Sequence, residues 1–358
     1  MGKLKKLLLS LLGLLLFLVI AGFLVIWVNS PGKPPELKDQ NGEVIAGSVN
    51  EKTFIEVGGI KQGMFIRGED QKKPVLLYLH GGPGAPEFSM SYAWETQARL
   101  EKECVVCYWD QRGTGMSNPS ALNVDSLTTE QMIADTVAVT EYLRERFDQE
   151  KIYLLGHSWG SYLGIKTVQQ QPELYKAYLG VGQVVHQKAG QKLAYDYMKE
   201  HAKEIGDDKA LKQLATFDPE ASAYNLLLEE YGIGTRHDGP ATTKLLKNML
   251  FFKGYTFGEK YAAFKGLLKF NDKLDTEEYA NDNLVESIPE VEVPIYILQG
   301  RYDYQVSYAL AKDYCEKIVA PDKKFYTLEN SAHSPNLEEP EAFLQVVKEI
   351  VVHVEKIA

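Results

Sequence analysis

From Leu7 to Val28 the chain runs "LLLSLLGLLLFLVIAGFLVIWV", 22 residues without a charge. As a helix rising about 1.5 Å per residue it would reach about 33 Å, enough to cross a hydrocarbon core of about 30 Å. One solvent therefore cannot suit the whole chain. A cleaved signal peptide is the competing reading, but its apolar region usually runs about 7–15 residues and ends at small residues, whereas this run ends in "VIWVNSPGKPP". We expect an uncleaved single-pass anchor in the cell membrane. Lys3, Lys5 and Lys6 precede it, which predicts a cytoplasmic N-terminus and everything beyond Trp27 on the outer side.

The rest of the chain is acidic. Net charge is −10 overall, and the only charges in the first thirty residues are three lysines, leaving 36 basic against 49 acidic residues. That balance, with no basic block interleaved with aromatics, argues against nucleic acid as a partner. Apolar residues at 45% and charged residues at 25% suit a folded globular region. Cys104, Cys107 and Cys315 are an odd set and make no disulfide framework. The valines between the first two point to core packing in a strand rather than to a metal or redox turn. No metal site and no cofactor is expected.

After a polar, proline-bearing spacer, "KTFIEVGGIKQGMFIRGE" alternates around Gly58 and Gly59 as a β-hairpin does. "PVLLYLHGG", "CVVCYWDQRG" and "KIYLLGHS" are short apolar runs ending in glycine loops, as expected of strands buried on both faces. The stretch "LTTEQMIADTVAVTEYLRERF" is helical, with Thr128 or Thr129 as its cap. Strand and helix alternating in this way imply a mostly parallel sheet. From about Val185 to Ser287 the chain holds helix formers and tyrosines with no convincing strand. Strand rhythm returns with "VPIYILQGRYD". The organisation expected is a lysine-rich cytoplasmic tip (1–6), a transmembrane anchor (7–28), a spacer (29–50), an α/β core (51–184 and 288–358) and a helical cap (185–287).

Gly156-His157-Ser158-Trp159-Gly160 follows a strand and precedes a helix. A G-x-S-x-G match by itself arises by chance about one time in ten in a chain this long. Its position between strand and helix is what makes it the context of a nucleophile elbow. A serine hydroxyl needs a base to take its proton and a carboxylate to orient that base. Beyond the helical stretch, Asp303 sits just past a strand, and His333 sits in the loop "ENSAHSPNLEEP" before the last helix. His353 falls within the terminal helix pattern and reads as an ordinary helix residue. For the oxyanion, "YLHGGPGAPE" supplies a glycine loop after a strand, with Gly82 the first choice and Gly81 the alternative. Trp159, the residue after the serine, supplies the second N–H. The GK[ST] ending of a phosphate-binding loop is missing.

Together "HGGPG", "DQRGTGMS", "GHSWGSYLG", "GRYD" and "NSAHSPNLEEP" resemble the prolyl aminopeptidases, or proline iminopeptidases, of the α/β-hydrolase superfamily. The resemblance covers roughly Thr53 to Ile357. It implies an α/β-hydrolase fold with an inserted helical cap, with Ser158 as nucleophile, His333 as base, Asp303 as orienting acid, and Gly82 with Trp159 as oxyanion donors. The "DQRG" loop would be a support near the site. Cap carboxylates of that family hold the substrate's free imino group, for which Glu229 and Glu230 in "LLLEEYG" are the possible counterparts here. The membrane anchor departs from the usual soluble enzyme.

The expected function is a membrane-anchored serine hydrolase releasing an N-terminal proline or small residue from peptides through an acyl-enzyme. The alternatives are an esterase, lactonase or amide hydrolase acting on a small acyl substrate, and a non-catalytic surface protein that uses the fold for binding.

Overall fold

The computed structural model describes residues 2–92, 98–216, 223–269, 271–274 and 276–357. Among the described residues, helix α1 (Lys3–Val28) touches the rest of the protein only near its C-terminal end, where Phe23 and Trp27 meet Phe257, and its apolar stretch from Leu4 to Val28 is long and apolar enough to cross a membrane. Asn29 to Asn50 then crosses to the globular region, held by the Lys33 N–H to Lys253 carbonyl bond (3.1 Å) and by Asn50 Nδ2 to the Pro35 carbonyl (3.0 Å).

Eight strands form one sheet: β1 (Val49–Val57), β2 (Ile60–Gly68), β3 (Val75–Leu79), β4 (Val105–Trp109), β5 (Ile152–His157), β6 (Tyr175–Val181), β7 (Ile295–Gly300) and β8 (Lys323–Leu328). Their order across the sheet is β1-β2-β4-β3-β5-β6-β7-β8. The hairpin β1–β2 is antiparallel, as the alternation around Gly58 and Gly59 predicts, and β2 joins β4 antiparallel. All pairings from β4 onward are parallel.

Parallel strands need covered faces, because each crossover lays a helix on the sheet. After β3 comes the short helix α2 (Glu87–Ser91), after β4 α3 (Thr129–Phe147), and after β5 α4 (Trp159–Gln170). The Thr128 side chain caps α3 by accepting the Gln131 N–H. Between β6 and β7 lie α5 (Gln187–Glu204), α6 (Asp208–Ala215), α7 (Ala223–Glu230), α8 (Thr242–Phe251), α9 (Phe257–Lys269), α10 (Asn271–Leu274), α11 (Glu277–Asn281) and α12 (Leu284–Ser287). Helix α13 (Tyr308–Lys317) follows β7, and α14 (Pro335–Glu338) with α15 (Pro340–Ile357) closes the chain.

Strand side chains alternate between two cores. Leu77, Cys107, Leu154 and Ile297 pack on one face with Val139 of α3 and Leu163 of α4. Leu76, Val106, Leu155 and Leu298 pack on the other with Phe343, Val347 and Ile350 of α15. Cys104 and Cys107 fall into opposite cores as buried free thiols, as the strand reading expects. Burial pushes the Cys104 thiol up to about 12. At the sheet edge, exposed Lys323 and Lys324 of β8 discourage a further strand from pairing. The order reverses between β3 and β5, and ligand crevices of open α/β sheets form at the strand ends beside such a reversal.

Candidate active site

At that reversal, β5 passes into α4 through Ser158, whose backbone sits at φ 56°, ψ −126°. A non-glycine residue is strained there and is held only by what surrounds it. Ser158 N–H donates to the Val181 carbonyl at 2.9 Å, and the Ser161 hydroxyl donates to the Ser158 carbonyl. The turn is so tight that its glycines are obligatory. A Cβ on Gly156 would lie 2.3 Å from the Gly160 carbonyl oxygen, and one on Gly160 would lie 2.2 Å from the Leu79 carbonyl oxygen.

Asp303 and His333 arrive from the loops after β7 and β8. His333 Nδ1 is 2.9 Å from Asp303 Oδ2, with both side chains buried. Asp303 Oδ2 also accepts from Gln299 Nε2 at 2.7 Å, and its Oδ1 accepts the Val306 N–H at 3.2 Å. A carboxylate only accepts, so Nδ1 carries a hydrogen, and in the neutral ring the lone pair is on Nε2. Nε2 is buried and has no hydrogen-bond partner among the described residues. The loop carrying His333 is held from behind by Glu338, which accepts from the Ala332 N–H (2.7 Å) and the His237 N–H (2.5 Å). Burial is the largest influence on that carboxyl and pushes it up to about 7.

A cavity of about 170 Å³ brings Ser158 and His333 together with Gly81, Gly82, Glu87 and His157, walled on its apolar side by Met90, Leu245 and Leu337. Gly82 and Gly81 both line it. Trp159 is the first residue of α4, where backbone N–H groups lack intrahelical partners. Neither its N–H nor that of Gly82 has a backbone acceptor among the described residues. The "DQRG" loop braces this wall: Gln111 Nε2 donates to the His80 carbonyl (3.0 Å), and the Gln111 N–H donates to His80 Nε2 (3.2 Å). Burial lowers the His80 ring to about 4, so it stays neutral and can accept.

Glu229 and Glu230 do not line this cavity. Glu229 Oε1 accepts from Thr242 (2.6 Å) and from Thr235 (3.3 Å), and Thr235 itself is part of the cavity wall. Glu230 is exposed on a separate groove beside Tyr231 and Leu226.

The carboxylate on the cavity wall is one that sequence reasoning missed. Glu87 Oε2 lies 2.8 Å from His157 Nδ1, and its Oε1 accepts from Tyr78 (2.6 Å) and Asn336 (2.9 Å). The other ring nitrogen of His157 faces the His333 carbonyl oxygen at 3.0 Å. With an acceptor at each nitrogen, only the imidazolium satisfies both. Burial works against both charges, but the His157 cation and three hydrogen bonds hold Glu87 at about 2. Burial likewise opposes the His157 charge, and the Glu87 carboxylate outweighs it and raises that ring above its ordinary value. Adjacency of Glu87 to the glycine loop and of His157 to the serine was the only sequence signal for the pair.

The family described as alpha/beta hydrolase fold matches residues 74–340. Over 310 residues the chain is 34% identical to a probable aminopeptidase of Bacillus subtilis, covering 84% of this chain and 95% of that protein. Over 311 residues it is 28% identical to a proline iminopeptidase of Clostridioides difficile, covering 83% and 96% respectively. The solved proline iminopeptidase of Mycobacterium smegmatis shares the fold at TM-score 0.61 and 16% identity, over 86% of this chain and 99% of that one.

Proposed function

Because the chain belongs to the alpha/beta hydrolase fold family and is similar to aminopeptidases within it, we propose that it is a membrane-anchored serine hydrolase releasing an N-terminal proline or small residue from peptides. The observation that carries the reading is the orientation of His333. Asp303 fixes its Nδ1 proton, and its free Nε2 shares one cavity with the strained Ser158.

In this mechanism Ser158 Oγ attacks the substrate carbonyl carbon as its proton passes to His333 Nε2. Asp303 stabilises the imidazolium that forms. The oxygen that gains charge accepts from the N–H groups of Gly82 and Trp159. His333 then hands its proton to the leaving amine, and water repeats the sequence to release the acid and free Ser158. The three lysines before α1 favour a cytoplasmic N-terminus, so that this chemistry takes place on the outer side of the cell membrane. Residues 185–287 act as the cap over the site in this reading, and 51–184 with 288–358 as its core.

One observation favours a second reading, an esterase, lactonase or amide hydrolase for a small acyl substrate. The cavity's own carboxylate, Glu87, is already matched by His157, and Glu229 and Glu230 stand outside the wall, while Met90, Leu245 and Leu337 offer apolar contact. A panel of proline arylamide, its N-blocked analogue and short-chain p-nitrophenyl esters separates the two. The peptidase reading expects turnover of the free arylamide and loss on blocking. Turnover of esters alone would replace it with the second.

A further inference from the structure

The outer face of α8 and α9 is apolar where a soluble surface would be polar. On α9, Phe257, Tyr261, Phe264 and Leu268 recur at the spacing of one helical face, and Tyr261 and Leu268 are each 68% exposed. On α8, Leu246, Leu250 and Phe251 are also exposed. A contiguous apolar surface of this kind marks an interaction site.

What lies against this face is the end of the chain's own apolar helix. The rings of Phe23 and Phe257 are 4.7 Å apart, and those of Trp27 and Phe257 are 6.0 Å apart. Lys260 Nζ donates to the Asn29 carbonyl at 2.7 Å, and Pro31 bridges Thr256. Between Ile26 and the two helices runs an apolar groove of about 330 Å³, lined by Leu246, Met249, Leu250 and Phe264. Phe23 stands five residues before the end of α1, or about 7.5 Å along its axis. Phe257 therefore sits at the depth of the last turns of a helix that would span the bilayer. Amphipathic helices at an interface sink their apolar face by about 5–10 Å, which matches that depth. Exposed Lys247 and Lys253 flank the patch, where phospholipid headgroups would lie.

We propose that the outer face of α8 and α9 is embedded in the bilayer leaflet at which α1 emerges, with a phospholipid acyl chain filling the groove beside Ile26. The inference rests on the membrane-anchor reading of α1. Its consequence is positional: Leu245 of α8 faces the Ser158 cavity while Leu246 and Leu250 face lipid, so the site stands one helix away from the membrane surface.

The test uses the full chain reconstituted into vesicles of phosphatidylcholine and phosphatidylglycerol, with nitroxide labels on Tyr261→Cys, Leu268→Cys and Val319→Cys. The native cysteines are all buried, so labelling is confined to the introduced thiol. Val319 is exposed just before β8, at the sheet edge opposite β1, seven strand spacings or about 34 Å away. Flotation with the vesicles is scored first. Oxygen collisions several-fold in excess of nickel-chelate collisions at 261 and 268, relative to 319, are expected. Equal ratios at the three positions in protein that floats would overturn this inference and leave the anchor reading intact. Protein that does not float would overturn both.

Discussion

His157 donates a ring hydrogen to the backbone carbonyl of His333 at 3.0 Å, joining the residue before Ser158 to the loop that carries the proposed base. Its charge is held in place by Glu87 on the other side of the ring.

This pair sets a pH window for stability. Glu87 sits at about 2 against an ordinary 4.5, so its contribution is complete above about 4.5 and is lost as pH falls towards 2. His157 is raised above 6.5, so its contribution is complete below about 6.5 and is lost as pH rises through the higher folded value. Thermal melts from acid to alkaline pH should show a plateau between these flanks. Glu87→Gln should lower the plateau and flatten the alkaline flank. A variant curve parallel to that of the wild type would contradict the pairing.

Strain at Ser158 makes an unusual prediction about stability. Glycine accepts φ 56° far more readily than serine, so Ser158→Gly should remove turnover while stabilising the fold by about 1 kcal/mol, net of the freer unfolded chain. Denaturant titration reads this directly. A clear loss of stability would mean that the turn is not strained.

Gly160→Ala should have the opposite effect. Its Cβ would meet the Leu79 carbonyl oxygen at 2.2 Å, and backbone on both sides leaves little room to yield. A loss of about 3 kcal/mol or more is expected, seen as a fall in denaturation midpoint or in soluble yield. A midpoint within error of the wild type would refute the close approach of α4 to β3.

Asp303→Asn keeps the shape but presents an amide where His333 Nδ1–H needs an acceptor, favouring the tautomer with its proton on Nε2. The turnover number should drop by about 10³–10⁴-fold with little change in KM. A drop of less than tenfold would remove Asp303 from the proposed mechanism.

Strands β3, β4, β5 and β7 were legible because each is a short apolar run ending in a glycine loop, whereas β6 was not read as a strand from the sequence. Ser158, Asp303 and His333 were chosen because each follows a strand and chain order limits the choice of acid and base. Glu87 and His157 were not legible as a pair. They are 70 residues apart, and their contact depends on how α2 turns its face towards the end of β5. Glu229 and Glu230 lie side by side on α7, where nothing in the sequence says which side of the helix meets the cavity. The geometry puts one behind Thr235 and leaves the other exposed.

The central claim is that Ser158 is a nucleophile activated by His333. It is tested most directly by treating the protein with a fluorophosphonate probe and mapping the adduct by peptide mass. One adduct per chain is expected, on the peptide carrying Ser158, and it should be absent in Ser158→Ala and strongly reduced in His333→Ala. No adduct on folded wild-type protein, or an adduct on another residue, would contradict the account.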